Sequence, residues 1–128
     1  MNRSFLPTVT VVAALMMMQG PASAGPRSLD CKLTTVQTKT GSSFEVASEN
    51  QRLTITFDEG AKTLIADLDA RLLAFDHVTI TPITMTGYVL DVSLGIDRSD
   101  WSIVLQTYED RSIRSEFGTC LPASGPSR

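Results

Sequence analysis

The side chains able to do chemistry in this chain are few and far apart. His77 is the sole imidazole, Cys31 and Cys120 are the sole thiols, and 14 acids are strung along 128 residues. A Ser–His–Asp triad would have to use His77. Its neighbour Asp76 is badly placed to orient it, because adjacent residues on a strand point to opposite faces. The Gly-x-Ser-x-Gly turn that presents a nucleophilic serine does not occur in the sequence. His77 therefore reads as a surface residue at the start of a strand. One His and two Cys are too few for the common structural zinc sites. The pairs Asp58/Glu59, Asp67/Asp69, Asp97/Asp100 and Glu109/Asp110 fall where turns are expected, and acids there usually accept turn hydrogen bonds. None of these stretches has the Asp-x-Asp-x-Asp-Gly spacing of a calcium loop. No catalytic residue, metal ligand or cofactor is assigned. The enzymatic alternative is a carboxylate-based hydrolase, which requires two acids converging in one cleft within about 10 Å.

The two cysteines carry the strongest constraint. The first 24 residues read as a secretory signal: Arg3 is the positive start, Phe5 to Met18 is mostly apolar and uncharged, and Ala22-Ser23-Ala24 is a small-x-small cleavage site. The apolar run is shorter than the roughly 20 residues of a membrane span, so no span is expected after its removal. An exported domain matures in an oxidising compartment, where two lone thiols are expected to pair. Cys31 and Cys120 bracket nearly the whole mature chain. A Cys31–Cys120 disulfide would therefore bring the first and last strands side by side. The expected organisation is signal 1–24, one domain over 25–120 and a flexible tail over 121–128.

What lies between the cysteines reads as strands. Arg52 to Phe57 alternates polar and apolar residues at period two. Asp58 to Lys62 supplies a turn, and Thr63 to Asp67 returns as a strand. His77 to Thr81 is a short strand stopped by Pro82. Thr84 to Arg98 reads as the longest strand, with Tyr88, Leu90, Val92, Leu94 and Ile96 in one phase and Gly95 suggesting a bulge or bend. Trp101 to Glu109 and Ser112 to Cys120 follow. Cys31 to Gln37 alternates weakly, and 38–50, with Gly41-Ser42-Ser43 and Ser48-Glu49-Asn50, reads as a loop. The expectation is an all-β, antiparallel meander of about seven short strands, curled or barrel-like and closed by the disulfide. Leu64, Leu68 and Leu72 recur every four residues, so an α+β fold with one helix near 61–75 is the alternative.

Three short motifs carry a resemblance: Ile55-Thr56-Phe57-Asp58-Glu59 with Lys62, Gly95-Ile96-Asp97-Arg98, and Gly118-Thr119-Cys120 after an early Cys. In this order they resemble a loose group of small exported bacterial proteins, largely uncharacterised. Relatives in that group often have Thr-Gly after the Arg, where this chain has Ser99-Asp100. The resemblance implies a periplasmic or secreted location and brings no activity with it. The architecture is also similar to that of small barrel inhibitors of lysozyme, by analogy alone.

The functional expectation is subtractive. A net charge of −3 gives no basic footprint for nucleic acid, and neither a phosphate loop nor a nucleotide fingerprint occurs in the sequence. A non-catalytic exported binding or structural domain is expected, monomeric, with an unknown protein or small ligand of the envelope as partner. Alternatives are an envelope inhibitor or regulator of a hydrolase and a small-ligand or lipid carrier. Tyr88, Arg98 and Trp101 are the candidate partner-binding residues, because aromatic and Arg anchors dominate hot spots. Asp97-Arg98 reads as a turn-stabilising Asp beside a solvated or aromatic-stacked Arg; a buried ion pair clamping the longest hairpin is the alternative. The strand assignment at 52–57 is testable: Ile55→Asp should abolish the cooperative thermal transition by placing a charge on the apolar face, and an unchanged melting curve would refute it.

Overall fold

The computed structural model describes residues 25–69 and 71–123, so the expected signal and the last five residues of the expected tail lie outside the described residues. The described chain is all-β. It forms β1 (Arg27–Thr40), β2 (Ser43–Asp58), β3 (Thr63–Asp67), β4 (Leu72–Ala74), β5 (Asp76–Ile80), β6 (Thr84–Val89), β7 (Val92–Asp97), β8 (Ser102–Glu109) and β9 (Ser112–Pro122). One antiparallel sheet contains all nine, in the order β4-β3-β2-β1-β9-β8-β7-β6-β5. Apart from β4 and β5, each strand pairs with its sequence neighbour, and the first and last strands pair across the middle. The two edge strands, β4 and β5, are separated in sequence by Phe75 alone. Its N–H donates to Leu64 O on β3, so the sheet curls until its edges meet in a nearly closed barrel.

Alternation along the strands fills this barrel. Leu29, Cys31 and Leu33 from β1, Leu53, Ile55 and Phe57 from β2, Leu64 and Ala66 from β3, and Phe75 form one wall. Met85, Val92, Leu94, Ile96, Ile103, Leu105 and Cys120 form the other, and all are buried. Cys31 and Cys120 stand directly opposite one another on β1 and β9 and are bonded, S–S 2.05 Å. The bridge closes a loop of 89 residues.

Several local expectations are corrected. Among the described residues there are nine strands against about seven and no helix near 61–75: Leu64 and Ala66 point inward from β3 at period two, and the recurrence of Leu every four residues is incidental. Residues 38–50 are not a loop but the tip of a long β1–β2 hairpin. Gly41, at φ +62, takes the first position of a two-residue turn that needs a left-handed residue there. The long strand over 84–98 is two strands. A two-residue turn at Leu90-Asp91 divides it, with Leu90 itself at φ 53, so the apparent phase of Tyr88, Leu90 and Val92 crosses a hairpin. Gly95 pairs regularly with Thr86 and Val104; the register shifts lie instead after Leu33, where Thr34 of β1 has no partner on either neighbouring strand, and in β5 between Asp76 and Thr79. Trp101 belongs to a turn at φ 58 and precedes β8. Leu121 and Pro122, expected in the tail, extend β9 along Asp30 and Leu29, and β1 begins earlier than expected, at Arg27.

The bulge fixes a requirement on the opposite strand. The β1 backbone passes so close to Gly118 that an added Cβ would lie 1.8 Å from Lys32 O and 2.7 Å from Leu33 Cα. Backbone cannot yield as a flexible side chain does. Gly118→Ala should therefore lower the melting temperature drastically or prevent folding. Gly95→Ala, which meets only Val104 Cγ1 at 3.5 Å, should melt close to wild type. Equal melting of the two variants would contradict this packing.

Candidate functional site

The residues singled out in the sequence divide between opposite ends of the barrel. Arg98 and Trp101 sit together at one end. Arg98 Nη2 lies 2.8 Å from Glu59 Oε2, and Nη1 donates to Thr81 O at 2.8 Å. The guanidinium lies over the rings of Phe57 at 5.5 Å and Trp101 at 5.9 Å. Its side chain is only 11% exposed. Arg27 joins from the side, 3.6 Å from the same Glu59 carboxylate. Arg98 thus plugs the barrel end, holding the β2–β3 turn to the β5–β6 and β7–β8 turns, with little of its guanidinium free for a partner. The favoured reading of Asp97-Arg98, a turn-stabilising Asp beside an aromatic-stacked Arg, holds, and the alternative ion pair between them does not form. Asp97 Oδ1 instead accepts from Ser99 N and Ser99 Oγ, and these bonds hold its carboxyl below the usual carboxylate range.

Tyr88 lies at the other end of β6, exposed, with His77 stacked on it at 5.1 Å. The turn acids behave as expected. Asp58 accepts from Ala61 N, Asp67 from Asp69 N, Asp100 from Ser102 N, and Glu109 from the Ser112 hydroxyl.

Beyond the β1 bulge the sheet changes character. Inside the barrel the apolar residues face inward. Towards the hairpin tips, β1, β2, β8 and β9 continue, and their apolar residues face outward. The register lines these up in cross-strand rows. One row runs Thr86, Gly95, Val104, Phe117, Thr35, Ser48. The next runs Tyr88, Ser93, Gln106, Ser115, Gln37, Val46, and the last Tyr108, Ile113, Lys39, Phe44. Asp91 O accepts from Tyr108 N, bringing the Leu90 turn alongside the last row. Phe44, Val46, Tyr88, Leu90, Tyr108 and Phe117 are all exposed, Leu90 at 93%. Two grooves of about 330 and 250 Å³ cross this surface on either side of Phe117. The first is lined by Gly95 and Val104, the second by Phe44 and Ile113. The rim is Thr, Ser and Gln, with Lys39 as the one cation of these rows.

The inner face of the same region holds a cluster that sequence reasoning did not assemble. Glu49 of β2 and Glu116 of β9 converge under β1. Arg114 Nη2 lies 3.7 Å from Glu49 and 3.4 Å from Glu116. Burial, then a hydrogen bond and charge repulsion from Glu116, push the Glu49 carboxyl from 4.5 up to about 7, against the pull of Arg114. Glu49 Oε2 is buried without a donor among the described residues. With its proton held above the usual carboxylate range, one carboxyl can donate to the other. No short-range signal could have revealed this pair, since Glu49 and Glu116 meet only through the strand order β2-β1-β9.

No protein-family model, curated protein or solved structure matches this chain.

The carboxyl pair gives a pH prediction. A folded-state pKa raised above the unfolded value stabilises fully below about pH 4.5, and that contribution is lost as pH rises through about 7. Glu49→Gln removes the titration and keeps a donor for Glu116. In chemical denaturation the variant should gain on wild type between pH 5 and pH 8, by about 3 kcal/mol at most. A difference that does not change with pH would contradict the assignment.

Proposed function

We propose that this is an exported, non-catalytic binding domain that docks a partner protein of the cell envelope on the outer face of its hairpin-tip half. The observation carrying this reading is the apolar groove on that face: Phe44, Ile113 and Phe117 line it, and Tyr108 and Val46 stand in the neighbouring cross-strand rows. Single exposed apolar residues are ordinary, but exposed apolar side chains clustered about one groove mark an interaction site. Tyr88 stands apart, with Ser93, Gln106, Ser115 and Gln37 between it and Val46. Leu90 adds weight. A bulky side chain held at φ 53 on a hairpin turn costs of order 1 kcal/mol or more, and such strain concentrates at functional positions. The disulfide fits an oxidising compartment outside the cytoplasm, in keeping with the sequence-based reading of residues 1–24 as a secretory signal. An inhibitor or regulator of an envelope hydrolase is one form such a partner-binding domain takes.

The packed interior favours this reading over a carrier, because core side chains occupy the space a ligand would need. The Glu49–Glu116 pair does not have the geometry of a two-carboxylate hydrolase. Those carboxyls face one another across an open cleft that admits substrate, whereas these two are largely buried and meet on the same Arg114 guanidinium.

The test is capture from envelope extract with the immobilised domain. Wild type should retain a specific protein. The Phe44→Ser, Phe117→Ser double variant should lose it while keeping its β-sheet circular dichroism. Leu72→Ser, an exposed residue of β4, should retain it. Equal capture by all three, or none by wild type, would overturn the reading.

A further inference from the structure

β2 is paired on both sides only over Thr54–Asp58, where β3 runs beside it. From Ser43 to Leu53 its second side faces no strand, and among the described residues no backbone hydrogen bond reaches that side. This is an open edge of about a dozen backbone groups next to the apolar surface. Natural sheets usually blunt such an edge with Lys, Pro or a covering loop. Residues 43–51 contain no Lys and no Pro. What the edge does carry is an alternation of chemistry. Phe44, Val46 and Ser48 stand on the outer face, and Glu45, Ala47 and Glu49 on the inner one.

Resting on the binding reading above, we infer that the Ser43–Gln51 edge accepts an extended segment of the partner as an added strand, one that alternates apolar and basic residues. An added strand shares the pleat, so its side chains alternate between the same two faces. On the outer face its apolar residues meet Phe44 and Val46. On the inner face its Lys or Arg meets the exposed Glu45, which makes no ion pair among the described residues, while Glu49 is turned under β1 to Arg114. That face is short of cations, since Glu45, Glu49 and Glu116 have Arg114 alone among them. The same charges argue against a second copy of this chain. Antiparallel self-pairing about Val46 would collect Glu45 and Glu49 from both copies on one side of two adjacent strands. Inward charges on an edge thus exclude self-pairing and select an oppositely charged strand.

Three synthetic octapeptides test this on the oxidised domain: alternating Lys-Val, alternating Glu-Val, and a Lys block followed by a Val block. Affinity is read by titration, and the site by amide hydrogen exchange. Alternating Lys-Val should bind about fivefold more tightly than either other peptide, the effect of one opposed charge pair at Glu45. It should protect the amides of residues 43–51. Glu45→Gln, at an exposed position, should narrow the Lys/Glu preference, and Val46→Lys should abolish binding. Equal affinity for the three peptides, protection elsewhere, or concentration-dependent dimerisation in sedimentation velocity would overturn the inference. If these results fail while the Phe44/Phe117 variant still loses its captured protein, the outer-face reading stands and only the strand-addition inference falls.

Discussion

Everything in this domain hangs on the pairing of β1 with β9. A meander has two free ends, and a curled sheet of this size keeps a dry interior only if those ends meet. Here they meet along most of both strands, with Cys31 opposite Cys120 and Leu33 opposite Gly118. The disulfide removes about 4–5 kcal/mol of loop-closure entropy in the chain-entropy view. That is a large share of the stability a domain of this size commands. The bridge sits where the sheet would otherwise open, between two strands far apart in sequence.

The same seam explains the two-part character of the molecule. The bulge after Leu33 shifts the alternation of β1 by one residue, so Leu29, Cys31 and Leu33 face inward before it and Val36 and Thr38 after it. In the first half the inward residues are apolar and the barrel is packed. In the second half the inner face carries Glu49, Glu116 and Arg114, and the large apolar side chains stand outside. One sheet therefore serves as core at one end and as a presented surface at the other. The residues of the three short sequence motifs belong to the first task. Glu59 from one motif and Arg98 from another form the ion pair that plugs the barrel, while Gly118 and Cys120 make the seam. Such motifs describe how the barrel is closed, which is why they point to no activity.

Legibility in the sequence followed the range of the physics involved. Arg52–Phe57 was readable because alternation is local, and the Cys31–Cys120 bridge because there were only two thiols to pair. The turn acids were readable for the same reason: Asp58, Asp67 and Asp100 bond to amides two or three residues away. The turn at Leu90-Asp91 was hidden because it uses Leu where Asn or Gly would have signalled a left-handed residue. The long β1–β2 hairpin was hidden because its tip half is rich in Ser, Thr and Glu and gains its order from lateral hydrogen bonds. The Glu49–Glu116 pair and the apolar groove were out of reach altogether, since both depend on the register across β2, β1 and β9, which are far apart in sequence. Of the residues proposed for contact, Tyr88 lies on the exposed face, whereas Arg98 and Trp101 are engaged at the opposite end.

Residue-resolved amide hydrogen exchange on the oxidised domain tests the seam most directly. If the β1–β9 ladder holds the fold together, amides of Leu29–Leu33 and of Gly118–Cys120 that are bonded within the sheet will exchange last, at rates set by global unfolding. Exchange of those amides as fast as at the Gly41 hairpin tip would mean that the barrel is held elsewhere.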